Sequence, residues 1–172
     1  MASSSDDFLR VASLNLHGLK NSWYYLQHLL DSHDLVFVQE HWLHSFELNY
    51  LQNLHNDFIA YGKSAMDEKN QLGITKGRPF GRIAVFIRKS VSNCLSVLGY
   101  DDDNRIICVR LVYRDLDLLL FGSYFLCCDN TTQYGDSILK ILGHIESVIN
   151  MYVGCKVCIL GDLNFECSLL CC

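Results

Sequence analysis

The chain is short of positive charge. Across 172 residues it carries 14 Lys and Arg against 19 Asp and Glu, a formal net charge of -5, with a pI near 5.7. A protein that grips nucleic acid by bulk electrostatics clusters Lys and Arg, so this balance argues against that class. It leaves room for a metal-dependent nuclease, because a bound cation supplies positive charge locally. The N-terminal MASSSDDFLR lacks a basic segment followed by an apolar one, so no secretory signal is expected. Apolar runs such as LDLLLFGSYFLCC are interrupted and too short to span a bilayer. The expectation is a soluble intracellular protein, nuclear or cytoplasmic and not secreted, with no membrane partner. Its nine cysteines are then read as thiols and not as a disulfide framework. Internal repeats, low-complexity tracts and linkers are also missing, which points to a single domain over residues 1–172.

What is present is a globular composition, half hydrophobic and 19% charged. The segment FLRVASLNLHG reads as a strand ending in Asn15, His17 and Gly18. NSWYYLQHLLDS follows with Trp23, Leu26, Leu29 and Leu30 near helical spacing. That placement assigns Trp23, Tyr24 and Tyr25 to the core in preference to a base-stacking platform. HDLVFVQEHW is a continuous apolar strand meeting Glu40. Residues 61–82 are polar and glycine-bearing, the pattern of a long functional loop. Arg78 and Arg82, in GRPFGR, are candidate phosphate contacts there.

Four β-rich segments come next, RIAVFIRKS, NCLSVLGY, RIICVRLVY and LDLLLFGSYFLC, with turn signals between them and antiparallel pairing expected. TTQYGDSILKILGHIESVINMY places Ile138, Ile141, Leu142, Ile145, Val148 and Ile149 on one helical face. CKVCILGD reads as a last buried strand. Cys155 and Cys158 invite a zinc reading, but residues three apart on a strand face opposite sides, so core cysteines are expected.

Three apolar strands thus end in polar residues: Asn15, Glu40 and the Asp162/Asn164 pair. In layered α/β proteins, sites form beyond strand ends where loops converge. Taken in order, SLNLHGL, VFVQEHW, GRPFGRIAVFIRKS and CILGDLNFE resemble the endonuclease/exonuclease/phosphatase superfamily. The likeness is nearest to the apurinic-endonuclease-like domains of non-LTR retrotransposon polyproteins, and it runs from residue 9 to residue 166.

This resemblance implies an α/β protein of the α+β type, a four-layered α/β/β/α sandwich with its second sheet incomplete. It implies an enzyme, a Mg²⁺- (or Mn²⁺-) dependent endonuclease that hydrolyses a DNA phosphodiester to leave a nick. It also implies an ancestral link to a reverse transcriptase domain absent from this chain. Residue by residue, Glu40 matches the metal-binding glutamate. Asp162 matches the aspartate that orients or deprotonates the attacking water, Asn164 the residue that positions phosphate and nucleophile, and Asn15 the asparagine that hydrogen-bonds within the acidic cluster. His17 stands where relatives carry Asp or Asn near the metal.

Two departures follow from the same comparison. Relatives carry Tyr-x-Pro on a middle strand where this chain has SYFLCCDN. Phe125 takes the Tyr position if Cys127 takes that of Pro, whereas Tyr124 lies one residue away on the opposite strand face. Relatives also continue past Gly-Asp-x-Asn to a further Asp and a Ser-Asp-His segment, while this sequence ends FECSLLCC, so a C-terminally truncated domain with exposed core is expected. Two other readings stand beside the nuclease: a catalytically inactive remnant, and a phosphatase of the same superfamily acting on a phosphorylated lipid or inositol.

Overall fold

The computed structural model describes residues 8–64, 82–125 and 132–164. Arg78, Cys127, Cys128 and the cysteines after residue 164 lie outside these. The described residues form two four-stranded sheets. The first contains β1 (Val11–Asn15), β2 (Leu35–Gln39), β3 (Phe58–Gly62) and β4 (Ile83–Arg88), in the order β1-β2-β4-β3. The second contains β5 (Leu95–Tyr100), β6 (Ile106–Tyr113), β7 (Leu116–Tyr124) and β8 (Lys156–Asp162), in that order. Helix α1 (Leu19–Ser32) connects β1 to its parallel neighbour β2, and the long helix α3 (Thr132–Met151) connects β7 to its parallel neighbour β8. Between β2 and β3 lie a 3-10 turn, Ser45–Glu47, and the short α2 (Asn49–Gln52).

Three apolar layers follow from period-2 alternation in the strands. Val36 and Val38 of β2, with Ala84 and Phe86 of β4, face outward and bury Leu19, Leu26 and Leu30 of α1. Leu35 and Phe37 of the same β2 face inward, against Ile107 and Val109 of β6 and Leu120 of β7. On the far side, Leu119 and Phe121 of β7 receive Ile141, Ile145 and Val148 of α3. The layers therefore stack α/β/β/α. All five β2 residues are buried, which is why that segment reads as an unbroken apolar run.

The end of α1 is fixed by charge. The Arg88 guanidinium donates to the carbonyl oxygens of Leu30 and His33, and its Nε lies 3.3 Å from Asp34 Oδ1. A cation at the carbonyl end of a helix is favoured by both hydrogen bonding and the helix dipole.

Several sequence expectations change. Trp23, Tyr24 and Tyr25 are 44%, 71% and 68% exposed, while α1 packs on the sheet through Leu19, Leu26 and Leu30. β8 is an edge strand among the described residues, with Val157 and Ile159 open to solvent, so it is not the fully buried strand its composition suggested. Cys155 packs toward the α3 layer and Cys158 toward the inter-sheet layer, on opposite sides as strand alternation requires.

Candidate active site

β1, β2 and β8 point their C-terminal ends at one rim of the crevice between the sheets. Val11 of β1 and Leu35 and Phe37 of β2 face inward, so by alternation Asn15 and Gln39 do too. Cys158 and Leu160 of β8 face the same crevice, which carries Asp162 to its mouth. β8 lies across from β1 and β2. Side chains remote in sequence are thereby brought together.

Asn15 is the junction. Its Nδ2 donates to Glu40 Oε1 at 2.8 Å and to Asp162 Oδ2 at 2.7 Å. A carboxamide carries two N–H bonds on one nitrogen, so a single Asn serves both carboxylates at once. Its orientation is fixed at the other end, where Oδ1 accepts the backbone N–H of His17 at 3.1 Å. The second Glu40 oxygen accepts from Trp42 Nε1 at 3.2 Å and lies 3.4 Å from His17 Nδ1. Glu40 is 8% exposed, so its charge is held by these donors and not by bulk water. One layer below, Gln39 and Ser13 hydrogen-bond each other through their side chains, satisfying an amide that is 1% exposed.

The loop carrying Glu40 is tightly held. Glu40 N–H donates to Arg82 O, Gly18 N–H to Glu40 O and Leu19 N–H to His41 O. The His41 ring sits between two backbone groups: Nδ1 accepts from Leu43 N–H and Nε2 faces Lys63 O, both at 3.1 Å. That pattern requires the neutral Nε2–H tautomer. Burial, with the Arg82 charge nearby, lowers its pKa to about 4, against the pull of the Lys63 carbonyl.

Two glycines are obligatory here. Gly18 has φ 102°, and a Cβ on it would stand 2.5 Å from Trp42 Cε3, so only Gly lets the indole reach Glu40. Gly161 has φ 134°, and its Cβ would fall 1.9 Å from Ser123 O, so only Gly lets β8 pass β7 beside Asp162.

The other sequence candidates are placed as follows. Strand β8 ends at Asp162, and Asn164 adopts a left-handed backbone, φ 48°. Asn164 Nδ2 donates to Phe125 O at 2.7 Å, and its N–H lies 3.3 Å from Asp162 Oδ1. It thus braces the cluster from the side. Tyr124 pairs in register with Asp162 and shares the crevice-facing parity of Leu118 and Leu120. Phe125 is buried under α3. By strand parity Tyr124, and not Phe125, lies on the crevice face of β7. Arg82 is wholly buried with Nη1 directed at Leu43 O, the surroundings of a structural arginine and not of a surface phosphate clamp. Arg78 lies outside the described residues. Sequence reasoning missed Trp42 and His41, although QEHW placed both directly after the glutamate.

The cluster suits a hard divalent cation. Mg²⁺ takes oxygen donors, usually one or two carboxylates with waters completing the octahedron. Glu40 and Asp162 converge on one nitrogen and supply that donor type. Among the described residues no group of three or more His, Cys, Asp or Glu forms a fuller cage.

No protein-family model and no curated protein matches the sequence. Solved structures do. A humanised TDP2 from D. rerio matches with TM-score 0.59 at 17% identity, over 93% of this chain and 68% of that one. The 3' phosphatase NExo from Neisseria, bound to a product DNA hairpin, matches with TM-score 0.64 at 15% identity, over 92% and 58%. The human Nocturnin catalytic domain matches with TM-score 0.60 at 12% identity, over 93% and 66%. The chain therefore spans 58–68% of the length of these three structures. At these identities the likeness shows the fold alone: this chain has the two-sheet α/β sandwich architecture of these three structures.

Proposed function

We propose that the chain is a metal-dependent phosphodiesterase that acts on DNA as an endonuclease, leaving a nick. The observation that carries this reading is the Asn15 amide joined to Glu40 on one sheet and Asp162 on the other, at 2.8 and 2.7 Å. Convergence of two carboxylates across a sandwich is electrostatically unfavourable without compensation, so a cluster of this kind needs a function that uses it. The DNA in the NExo structure, and the single-strand DNA product in a D. rerio TDP2 complex, favour a nucleic-acid substrate.

Glu40 would hold Mg²⁺ or Mn²⁺. When bound, such a cation neutralises phosphate charge and makes bound water more acidic. Glu40 is the anchoring ligand, since Trp42 and Asn15 fix both its oxygens. Asp162 is the group that orients a water and takes its proton, because Asn15 holds one carboxylate oxygen and Asn164 N–H approaches the other only loosely. Asn15 keeps the two carboxylates apart and aligned. Tyr124, in register with Asp162 on the neighbouring strand, would give its hydroxyl to a phosphate oxygen.

The test is nicking of supercoiled plasmid by the folded chain, with Mg²⁺ or with EDTA. Nicking that needs the metal and disappears in Asp162→Ala is expected. Metal-independent nicking, or nicking that survives the substitution, rules the reading out. Folded protein that binds Mg²⁺ and nicks nothing would mark a non-catalytic relative.

A further inference from the structure

Six residues beyond Glu40 the chain presents an aromatic ring to water. Phe46 is 77% exposed. His44 stacks on it with centroids 5.2 Å apart and planes 4° from parallel. The turn beneath is rigid: the Glu47 carboxylate accepts from His44 N–H at 3.0 Å and is held by Lys20 Nζ at 2.8 Å. Lys20 stands in the first turn of α1, three residues after His17, whose ring approaches Glu40. Tyr24 follows Lys20 at i+4, on the same helix face, and is 71% exposed.

A surface therefore leads from the carboxylate cluster past His17, then Lys20, with Phe46 on one side and Tyr24 further along α1. Exposed Phe contributes nothing to a core, and a turn braced at both ends to hold one outward has another use. Flat rings interleaved with a cation, beginning at a phosphodiester site, have the chemistry of a single-strand binding platform. Successive bases stack on the rings, while the Lys20 ammonium, one of whose three N–H bonds is given to Glu47, offers another to the backbone. Resting on the phosphodiesterase reading, we infer that Phe46, backed by His44, stacks an unpaired base next to the scissile phosphate, and that Lys20 and Tyr24 extend this platform along α1. The preferred substrate is then DNA with a frayed or single-stranded stretch at the cut, not an intact duplex.

The experiment uses the whole chain and oligonucleotides with 2-aminopurine in a single-stranded stretch, whose fluorescence falls on stacking. Binding is read in Ca²⁺, so no turnover is required. The wild type is expected to quench the probe and to bind a single strand more tightly than a fully paired duplex. Phe46→Ala should abolish most of the quench and weaken binding about tenfold. Phe46→Trp should restore both, while Phe46→Leu, equally apolar, should not. Unchanged melting of the variants, expected for an exposed side chain, shows that folding is intact. Equal quench and affinity in wild type and Phe46→Ala overturn the platform even if the plasmid is nicked. So does a shift from dimer to monomer on Phe46→Ala, which would make the ring a contact between copies. A wild type that nicks nothing yet quenches through Phe46 overturns only the catalytic reading. A wild type that binds no DNA overturns both.

Discussion

Replacing Asn15 by Asp changes three atoms and reverses the electrostatics of the site. The amide nitrogen 2.8 Å from Glu40 Oε1 and 2.7 Å from Asp162 Oδ2 becomes a carboxylate oxygen facing two others. At an effective dielectric constant near 20, like charges at that separation repel by about 6 kcal/mol per pair. The protein need not bear that in full, because one carboxyl can stay protonated. Keeping a group of pKa near 4 protonated at pH 7 costs about 4 kcal/mol, and near pH 5 only about 1–2 kcal/mol. Solvent beside the half-exposed Asp162 screens part of the repulsion. The expected loss for Asn15→Asp in EDTA is therefore about 2–4 kcal/mol at pH 7, shrinking toward pH 5.

Urea denaturation measures it directly. With a slope of about 2 kcal/mol per molar for a domain of this size, the midpoint should fall by roughly 1–2 M at pH 7. Asn15→Ala supplies the control: it removes two charge-assisted hydrogen bonds without adding charge, so its deficit should barely change between pH 5 and 7. Millimolar Mg²⁺ should recover much of the Asn15→Asp loss, as a cation replaces the missing N–H donors. An Asn15→Asp midpoint equal to wild type at pH 7, or a deficit as large at pH 5, would refute the three-way junction.

Glu40→Ala and Asp162→Ala should each lower plasmid nicking by at least on the order of 10³-fold, measured as initial rates in Mg²⁺. Gly18→Ala should destabilise the chain by about 2 kcal/mol or more in urea, through positive-φ strain and the clash with Trp42. It should also weaken Mg²⁺ binding, read calorimetrically, because the indole N–H leaves Glu40. His41 predicts a pH effect. Its pKa is lowered in the fold to about 4 from 6.5, so the unfolded chain takes up a proton first as pH falls. Its contribution to stability is complete above about pH 6.5 and is lost between there and pH 4, by roughly 3 kcal/mol. His41→Gln should flatten that part of the stability-pH curve, and a curve of unchanged shape would count against the buried neutral ring.

The strands that end at the site were legible because each carries its own signal. The apolar runs before Asn15, Glu40 and Asp162 are strands stopping in polar residues, and the one before Glu40 is buried throughout. Helix α3 announced itself by its Ile141, Ile145, Val148 stripe. Less legible was anything decided between elements. Trp23 lies at helical spacing with Leu19, Leu26 and Leu30, yet it is 44% exposed while they are buried, a difference that spacing alone does not show. β8 has a core strand's composition but, among the described residues, an edge strand's position, which topology sets and periodicity does not. Tyr61 and Gly62, read as the start of the long polar loop, instead close strand β3. At the site, residue types pointed to the carboxylates, but nothing local said that Asn15 would bridge them across 147 residues of chain. Nor could the pattern show that the strand would stop at Asp162 and turn Asn164 toward Phe125 O.

The backbone around the site supplies an independent argument for its importance. His17, Glu40, Trp42 and Asn164 all have φ between 46° and 56°, the left-handed region. For residues other than Gly and Asn this conformation costs about 1–2 kcal/mol each. His17, Glu40 and Trp42 together therefore hold roughly 3–6 kcal/mol, a substantial part of what keeps a domain of this size folded. The cost is met locally by the bonds from Gly18 N–H to Glu40 O, Glu40 N–H to Arg82 O and Leu43 N–H to the His41 ring. Strain of this kind persists only where surrounding contacts over-determine it, and it gathers where side chains must be aimed. Here each left-handed residue turns the chain back sharply at a strand end. Without that reversal the chain would leave the crevice, taking the Glu40 carboxylate and the Trp42 N–H away from Asn15. Substituting Gly for Trp42 or His17 should thus relieve backbone strain while removing a Glu40 contact. Stability that stays level as Mg²⁺ affinity falls would separate the two effects, and would show that the strain serves the carboxylates and not the fold.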